Sequence, residues 1–593
     1  MRTANLLFFT ICLLLTTACS GASEQPTSET QTSAAAAADR KPVAMVVTAN
    51  PLATETGLNI LRQGGSAVDA AIAIQATLSL VEPQSSGLGG GGFMVYYDAT
   101  DKSIQYYNGR EKAPMAVTPD LFLNPDGAPI HFLKAKDSGI SIGVPGVVSL
   151  FQMAHKDHGK LPWAELFSQA KTYATDGFPV SARMHNSIKR YSKYFSRSPD
   201  KGPTDLYEYF FINDEPLPIG HLLKNADYAQ TLQTIAKNPD DFYQGNIAKQ
   251  IIASVQREPM AGSLTLEDLA KYSAVKREPY CSSYRELTLC GSALPSSWVS
   301  VSMVMSLLNE APKFSPQGAD DPANWTLLAE ALRITYADNN EYIADDDFID
   351  VPIEGMMSDG YIEERAKLIS REGANPDIKA GNPWQYQDKK AAYQFGQDAT
   401  HDDVGTTHFV IVDREGNVVS MTATVEGFFG STRMAGGMIL NNQLTDFSFR
   451  YEDAEGNPIA NAVAPGKRPR SSMSPTVVID ENRDFVLAVG SPGGRNIISY
   501  VAKTVVGVMR WGLSAQQAID LPNMVAKTQQ VRIEKHRATP ELIQALRDFG
   551  YNVYESEGEI SGLSAVVRRP DGTLEGGADP RREGTVGIIY DDE

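Results

Sequence analysis

An α+β fold, with helices packed on a largely antiparallel sheet, is the architecture that this 593-residue sequence predicts, and three observations carry it. Beyond Gly405 short apolar runs follow one another, THFVIVD, VVSMTATV, MILNNQ, PTVVIDE and FVLAVGS, with turns rather than helices between them, so neighbouring strands pair as hairpins. Upstream, TETGLNILRQGG and SAVDAAIAIQATLSLV carry helical spacing and precede the strand-like FMVYYDA. Between about 145 and 390 the texture is mainly helical, as in VPGVVSLFQMAHKDHG, ADYAQTLQTIAKN and WTLLAEALRITYADNNEYI.

From the N-terminus, Arg2 precedes an apolar run from Leu6 to Leu15, short for a membrane span and suited to a signal-peptide core over 1–19. Thr16, Thr17 and Ala18 before Cys19 resemble the lipidation site of bacterial lipoproteins, with ordinary signal cleavage as the alternative. Export to the periplasm or cell envelope is expected, with any membrane contact made through the lipid alone. Residues 20–43 are rich in Ser, Thr and Ala and read as a disordered tether. Gly64 and Gly65 end the first helix and Ser66 caps the second. Once Cys12 and Cys19 are assigned to the leader, Cys281 and Cys290 remain, flanking the turn-like SSYRELTL, either as a cross-strand disulfide or as two thiols. The apolar helix NIISYVAKTVVGVMRW closes the strand series.

The composition, 42% hydrophobic and 21% charged, supports a large core, and the formal net charge of -19 disfavours nucleic acid as a partner. The glycine run through Gly87, Gly89 and Gly92 fits G-x-G-x-x-G, but it sits between a helix and a strand, the reverse of a dinucleotide site, and so predicts close backbone packing or a site wall. SPGGR lacks the spacing of a serine-hydrolase elbow, and no HExxH or paired CxxC pattern occurs, so neither cofactor nor metal is expected. HDDVGTTHFVIVD is more suggestive. A break after Gly405 would make Thr406 a chain terminus whose α-amine, with a pKa of roughly 7.7 to 8.0, could serve its own hydroxyl as base. Taken alone, GTT before a strand is in the great majority of proteins a turn and two strand residues.

The company of that motif decides. GGSAVDAAIA with EPQSSGLGGGGFM, GREKAP, VPG at 144–146, YRELTL with PSS, GTTHFVIVD, LNNQLTDFS, KRPRSSMSP, GSPGG and GADPR occur in order, and together they resemble the γ-glutamyltransferase (γ-glutamyltranspeptidase, glutathione hydrolase) family from about Ala44 to the end. The resemblance implies an N-terminal-nucleophile hydrolase fold, a four-layer αββα sandwich. It implies cleavage between Gly405 and Thr406 into a large subunit, 44–405, and a small subunit, 406–593, that stay together as a heterodimer. Thr406 becomes the nucleophile and Thr424 its support. Arg110, Ser471 and Ser472 bind the substrate α-carboxylate. Asp446, Gln443 and Glu426 meet the α-ammonium, while Gly493 and Gly494 supply backbone N–H groups to the oxyanion. A γ-glutamyl ester on Thr406 would then pass to water or to an amino acid or dipeptide acceptor, with glutathione among the substrates.

The sequence departs from the family pattern at Trp298 and Val299, where glycines are usual and a pocket wall is expected to change. It also carries a somewhat short lid segment, 448–465, with Tyr451. A related acylase of glutaryl cephalosporin side chains, or a poly-γ-glutamate hydrolase, is the alternative reading. A noncatalytic envelope binding lipoprotein would be expected to have lost Thr406 or SPGG, and both are present.

Overall fold

The computed structural model describes residues 40–195, 204–389, 395–398, 400–401 and 404–593. The expected leader with Cys19, and residues 20–39 of the expected tether, lie outside the described residues. The body comprises 42–591 and 593, and in a separate small unit Arg40 and Asp592 form an ion pair at 2.6 Å.

Strand β1 (Pro42–Thr48) begins two residues inside the expected tether, because its backbone pairs antiparallel with residues 585–590 and is thereby ordered. Helix α1 (Pro51–Arg62) is capped by Asn50, whose side chain accepts from the Leu52 N–H. Gly64, at φ 86, turns the chain, and helix α2 (Ala67–Val81) starts with a capping box between Ser66 and Asp69, as the sequence predicts. There follow β2 (Gly91–Tyr97), β3 (Ile104–Gly109), α3 (Val147–His158), β4 (Val275–Arg277), β5 (Tyr280–Tyr284) and β6 (Leu287–Gly291). Helices α4 (Trp298–Glu310) and α5 (Pro322–Tyr342) lead to the hairpin β7 (Gly405–Val412) and β8 (Val418–Glu426). The chain ends with β9 (Thr476–Ile479), β10 (Phe485–Gly490), α6 (Ile497–Met509), β11 (Ser564–Arg568), β12 (Leu574–Ala578) and β13 (Thr585–Tyr590).

These strands form two antiparallel sheets, ordered β13-β1-β7-β8-β2-β3-β4 and β12-β11-β10-β9-β6-β5. The first sheet is apolar on both faces, and the period of two sorts its side chains. Val46, Met94, Phe409 and Ile411 join the core beneath α1, α2 and α3, whereas Met45, Phe93, Val410 and Val412 join the core shared with the second sheet and with α4, α5 and α6. Helix, sheet, sheet, helix is the expected four-layer sandwich. Both sheets mix strands from before and after Gly405, so a cut there would leave two interleaved chains.

Two local expectations change. MILNNQ forms only a two-residue strand, Met438–Ile439, and then a short 3-10 turn, Gln443–Asp446. There the Asn441 side chain donates to the Gly89 and Gly143 carbonyls, and the Asn442 side chain accepts from the Gly427 N–H, so side-chain bonds replace ladder bonds. SSYRELTL is strand on both sides of a tight turn at Arg285, φ 55, which sets Cys281 opposite Cys290 in a disulfide with Cα atoms 4.1 Å apart. Among the described residues no helix is long and apolar enough to cross a membrane.

The glycine run does act as a close-packed wall. A Cβ on Gly90 would lie 1.9 Å from the Thr424 carbonyl oxygen and one on Gly89 2.2 Å from that of Ile439, whereas a Cβ on Gly87 would meet nothing nearer than 3.5 Å. Gly90→Ala should therefore cost at least about 1–3 kcal/mol and shift Thr424, while Gly87→Ala stays close to the parent. Thermal melts of the two variants check this, and equal melting temperatures would contradict it.

Candidate active site

Thr406 lies at the head of β7, in the middle of the first sheet. The β7–β8 register slips between Gly405, opposite Glu426, and Thr407, opposite Ala423, so that Thr406 stands out of the ladder beside Thr424. The Thr406 hydroxyl donates to the Gly405 carbonyl at 2.7 Å and lies 3.2 Å from the Thr424 hydroxyl, and Thr424 donates to the same carbonyl at 2.5 Å. Glu426, at φ 77, closes the bulge by donating its N–H to Thr424 Oγ1 at 2.8 Å. The Gly405 carbonyl thus accepts from two hydroxyls.

This corner opens into a cleft lined by Thr406, Thr424, Glu426, Gln443, Asp446, Arg110, Ser471, Ser472 and Gly494. Every sequence-predicted site residue on the cleft is thus brought together, with one exception: Gly493 is not in the lining. At φ 139 it sits in the turn after β10, where a Cβ would lie 2.5 Å from the Tyr500 ring.

Arg110, at the end of β3, is fully buried and tightly held. Its Nε donates to the Pro469 carbonyl at 3.2 Å, and its Nη2 to the Arg470 carbonyl at 2.7 Å and to Asp446 Oδ2 at 2.5 Å. Gln443 donates to the same Asp446 oxygen at 2.6 Å. Burial pushes the Asp446 carboxyl above its ordinary pKa, and Arg110 acts against that rise. A fixed cation beside a fixed anion matches the two charges of a free amino acid head group. Arg110 also lies 3.7 Å from Glu111, and both side chains are buried. Glu426 accepts from the Asn442 side chain, and Ser471 is tied to the PSS motif through the Ser297 N–H at 2.7 Å.

The expected change at Trp298 does not reach this cleft. Trp298 and Val299 open α4 inside the core, where the indole covers Gly291 and donates to Thr476 Oγ1 at 3.1 Å. The segment 448–465 also contributes nothing to the lining. It folds back on itself through Ser448 and Ala462, while Phe449 stacks on Phe122 at 4.3 Å.

Sequence reasoning missed the other wall. Thr400, His401, Arg470 and Arg495 line it, and buried Asp398 pairs with Arg470 at 2.7 Å. Asn461 joins the two sides, donating to the Asp446 carbonyl at 2.7 Å and accepting from the Arg470 N–H at 2.9 Å. Behind Thr406, Arg582 donates to the Thr406 carbonyl at 2.7 Å. Arg470 lies inside KRPRSSMSP, and Arg495 and Arg582 directly follow GSPGG and GADPR, so adjacency to those motifs was the available signal. Among the described residues the one carboxylate group close enough to share an ion is Asp345, Asp346 and Asp347, away from the cleft lining and met by Arg277 and Arg468.

A family model described as Gamma-glutamyltranspeptidase matches residues 53–589. The glutathione hydrolase proenzyme of Bacillus subtilis strain 168 is 36% identical over 550 residues, covering 92% of this chain and 91% of its own. Among solved structures, a cephalosporin acylase from Bacillus halodurans superposes with a TM-score of 0.79 at 26% identity, over 93% of this chain and 96% of its own. The γ-glutamyltranspeptidase of Helicobacter pylori gives 0.54 at 30% identity, over 58% of this chain and 96% of its own.

Burial raises the Glu111 carboxyl from its ordinary 4.5 to about 8, with Arg110 opposing. A folded pKa above the unfolded one means that the stability held by the protonated form is complete below about 4.5 and is lost as pH rises to about 8. Glu111→Gln, which cannot ionise, should melt with the parent near the lower value and above it near the upper. Melting curves across that range check this, and a constant difference would contradict it.

Proposed function

The chain belongs to the gamma-glutamyltranspeptidase family, and from that premise we propose that it is a self-processing γ-glutamyltransferase and glutathione hydrolase whose nucleophile is Thr406. The observation that carries the reading is the convergence, in one cleft, of the Thr406 hydroxyl poised on the Gly405 carbonyl and the Arg110–Asp446 pair.

Processing begins when Thr406 Oγ1 adds to the Gly405 carbonyl carbon and the C–N bond breaks, which moves the acyl group from nitrogen to oxygen as an ester. Water then cleaves the ester. Gly405 leaves as a carboxylate, and the Thr406 hydroxyl and α-amine are released. Thr424, already bonded to the Gly405 oxygen, steadies the charge that develops there.

In turnover the α-amine takes the hydroxyl proton as Oγ1 attacks the γ-carbonyl of the bound substrate. Arg110, with Ser471 and Ser472, holds the α-carboxylate, while Asp446, Gln443 and Glu426 face the α-ammonium. Backbone N–H groups of the Gly493–Gly494 turn stabilise the oxyanion. The departing amine takes up the proton, and the γ-glutamyl ester is then passed to water or to the amine of an amino acid or dipeptide. The related acylase reading requires the same Thr406, but it gives the Arg110–Asp446 pair no α-amino acid to bind. No cofactor enters either scheme.

The same proposal covers processing into a large subunit, 44–405, and a small one, 406–593, with the leader 1–19 directing export and Cys19 carrying a lipid. The Cys281–Cys290 disulfide supports an oxidising compartment.

Thr406→Ala should remain one chain and release no anilide from a γ-glutamyl anilide, whereas the parent yields two chains and activity. An active, uncleaved Thr406→Ala protein would sink the mechanism. Asp446→Ala should raise KM for substrates with a free α-amine at least about tenfold and leave a des-amino glutaryl anilide far less affected, as steady-state kinetics on the two substrates will read.

A further inference from the structure

The carbonyl of Thr406 itself is gripped from behind the cleft. Arg582 is buried, and each of its guanidinium nitrogens donates: Nη1 to the Thr406 carbonyl at 2.7 Å and to Glu82 Oε1 at 3.1 Å, Nε to the Ser561 carbonyl at 3.2 Å, and Nη2 to the Ile560 carbonyl at 3.1 Å. Glu82, the residue after α2, is buried as well and also takes a hydrogen bond from Arg183. Two guanidinium groups thus share one carboxylate. Glu583 stands beside them, accepting from the Arg183 N–H at 3.1 Å, and Arg582 is the member of this cluster that touches the residue whose α-amine becomes the catalytic base.

Other charged groups stand around Thr406 among the described residues. Across the cleft, Glu426, Asp446 and Asp398 face Arg110, Arg470 and Arg495, three of each sign. His401 is among the residues that line the cleft. On β7 itself, buried His408 stays neutral, its pKa pushed down to about 3 by desolvation. Near Arg582, Arg581 pairs with both Asp579 at 3.1 Å and Glu534 at 2.5 Å, and Glu583 follows Arg582 in the chain.

We propose that Arg582 is a positioning residue for the nucleophile: it fixes the Thr406 backbone so that hydroxyl and amine face the cleft, and its charge keeps the processed α-amine in the neutral, proton-accepting form. A nearby cation disfavours a second positive charge, so the amine loses its proton at a lower pH than the roughly 7.7 to 8.0 of an ordinary chain terminus. A carbonyl brace alone would need only a hydrogen-bond donor. The charge is what reaches the amine, and Glu82 sets how much of it remains. This role rests on the reading of Thr406 as an N-terminal nucleophile.

The test is the pH dependence of kcat/KM for γ-glutamyl anilide release by the processed protein, measured for the parent, Arg582→Gln, Arg582→Lys and Glu82→Gln. Arg582→Gln should move the acidic limb up by about one pH unit. Arg582→Lys should hold it near the parental value, and Glu82→Gln, which strips the neutralising carboxylate, should move it down. An Arg582→Gln protein that is slower but has the parental limb would overturn the electrostatic role. Should Arg582→Gln fail to fold or process, Glu82→Gln decides alone, and a limb that stays or rises there overturns the proposal. A parent that neither processes nor releases anilide would instead refute the reading of Thr406, which an unmoved limb in an active parent leaves standing.

Discussion

The site is organised around one carbonyl group. The Gly405 oxygen accepts hydroxyl donations from Thr406 and Thr424 at the one slip in the β7–β8 ladder, in the centre of a sheet that is apolar on both faces. A carbonyl in a regular strand would be satisfied by the ladder and turned from its neighbours' side chains. Here the slip exposes it to two hydroxyls, and the rigidity of a doubly covered sheet keeps them on it. The glycine run belongs to the same arrangement, because only a chain without Cβ atoms at 89 and 90 can lie against Ile439 and Thr424.

A second constraint is electrostatic. Arg110 and Asp446 are held side by side at 2.5 Å by bonds to the Pro469 and Arg470 carbonyls, Gln443 and Asn461, so neither relies on the substrate for its placement. Pre-set opposite charges favour a ligand with its own adjacent carboxylate and ammonium over one lacking either, which makes one of the two attractions and forgoes the other. Nucleophile and head-group pair come from sequence positions up to 336 residues apart, which is why the interleaving of strands from both sides of Gly405 matters as much as the motif at the cut.

Much of this was legible in the sequence. Capping signals placed α1 and α2, hairpin texture beyond Gly405 gave the antiparallel sheets, and the ordered motifs assembled the cleft, with Gly493 outside its lining. What was not legible was tertiary in origin. Asn441 and Asn442 turned an apparent strand into a loop by bonding distant backbone, and Trp298 went into the core because Gly291 leaves room for its ring. The pairs Asp398–Arg470 and Arg582–Thr406 join residues remote in sequence, and adjacency to a motif marks Arg470 and Arg582 without naming those partners.

The central claim is that Thr406, once it is a chain terminus, forms the bond to the substrate. The most direct measurement is to quench the protein during turnover of a γ-glutamyl anilide, digest it, and locate the acyl adduct by mass spectrometry. The account predicts a γ-glutamyl group on a peptide that begins with Thr406. An adduct on any other residue, or turnover by a chain still continuous through Gly405 and Thr406, would contradict it.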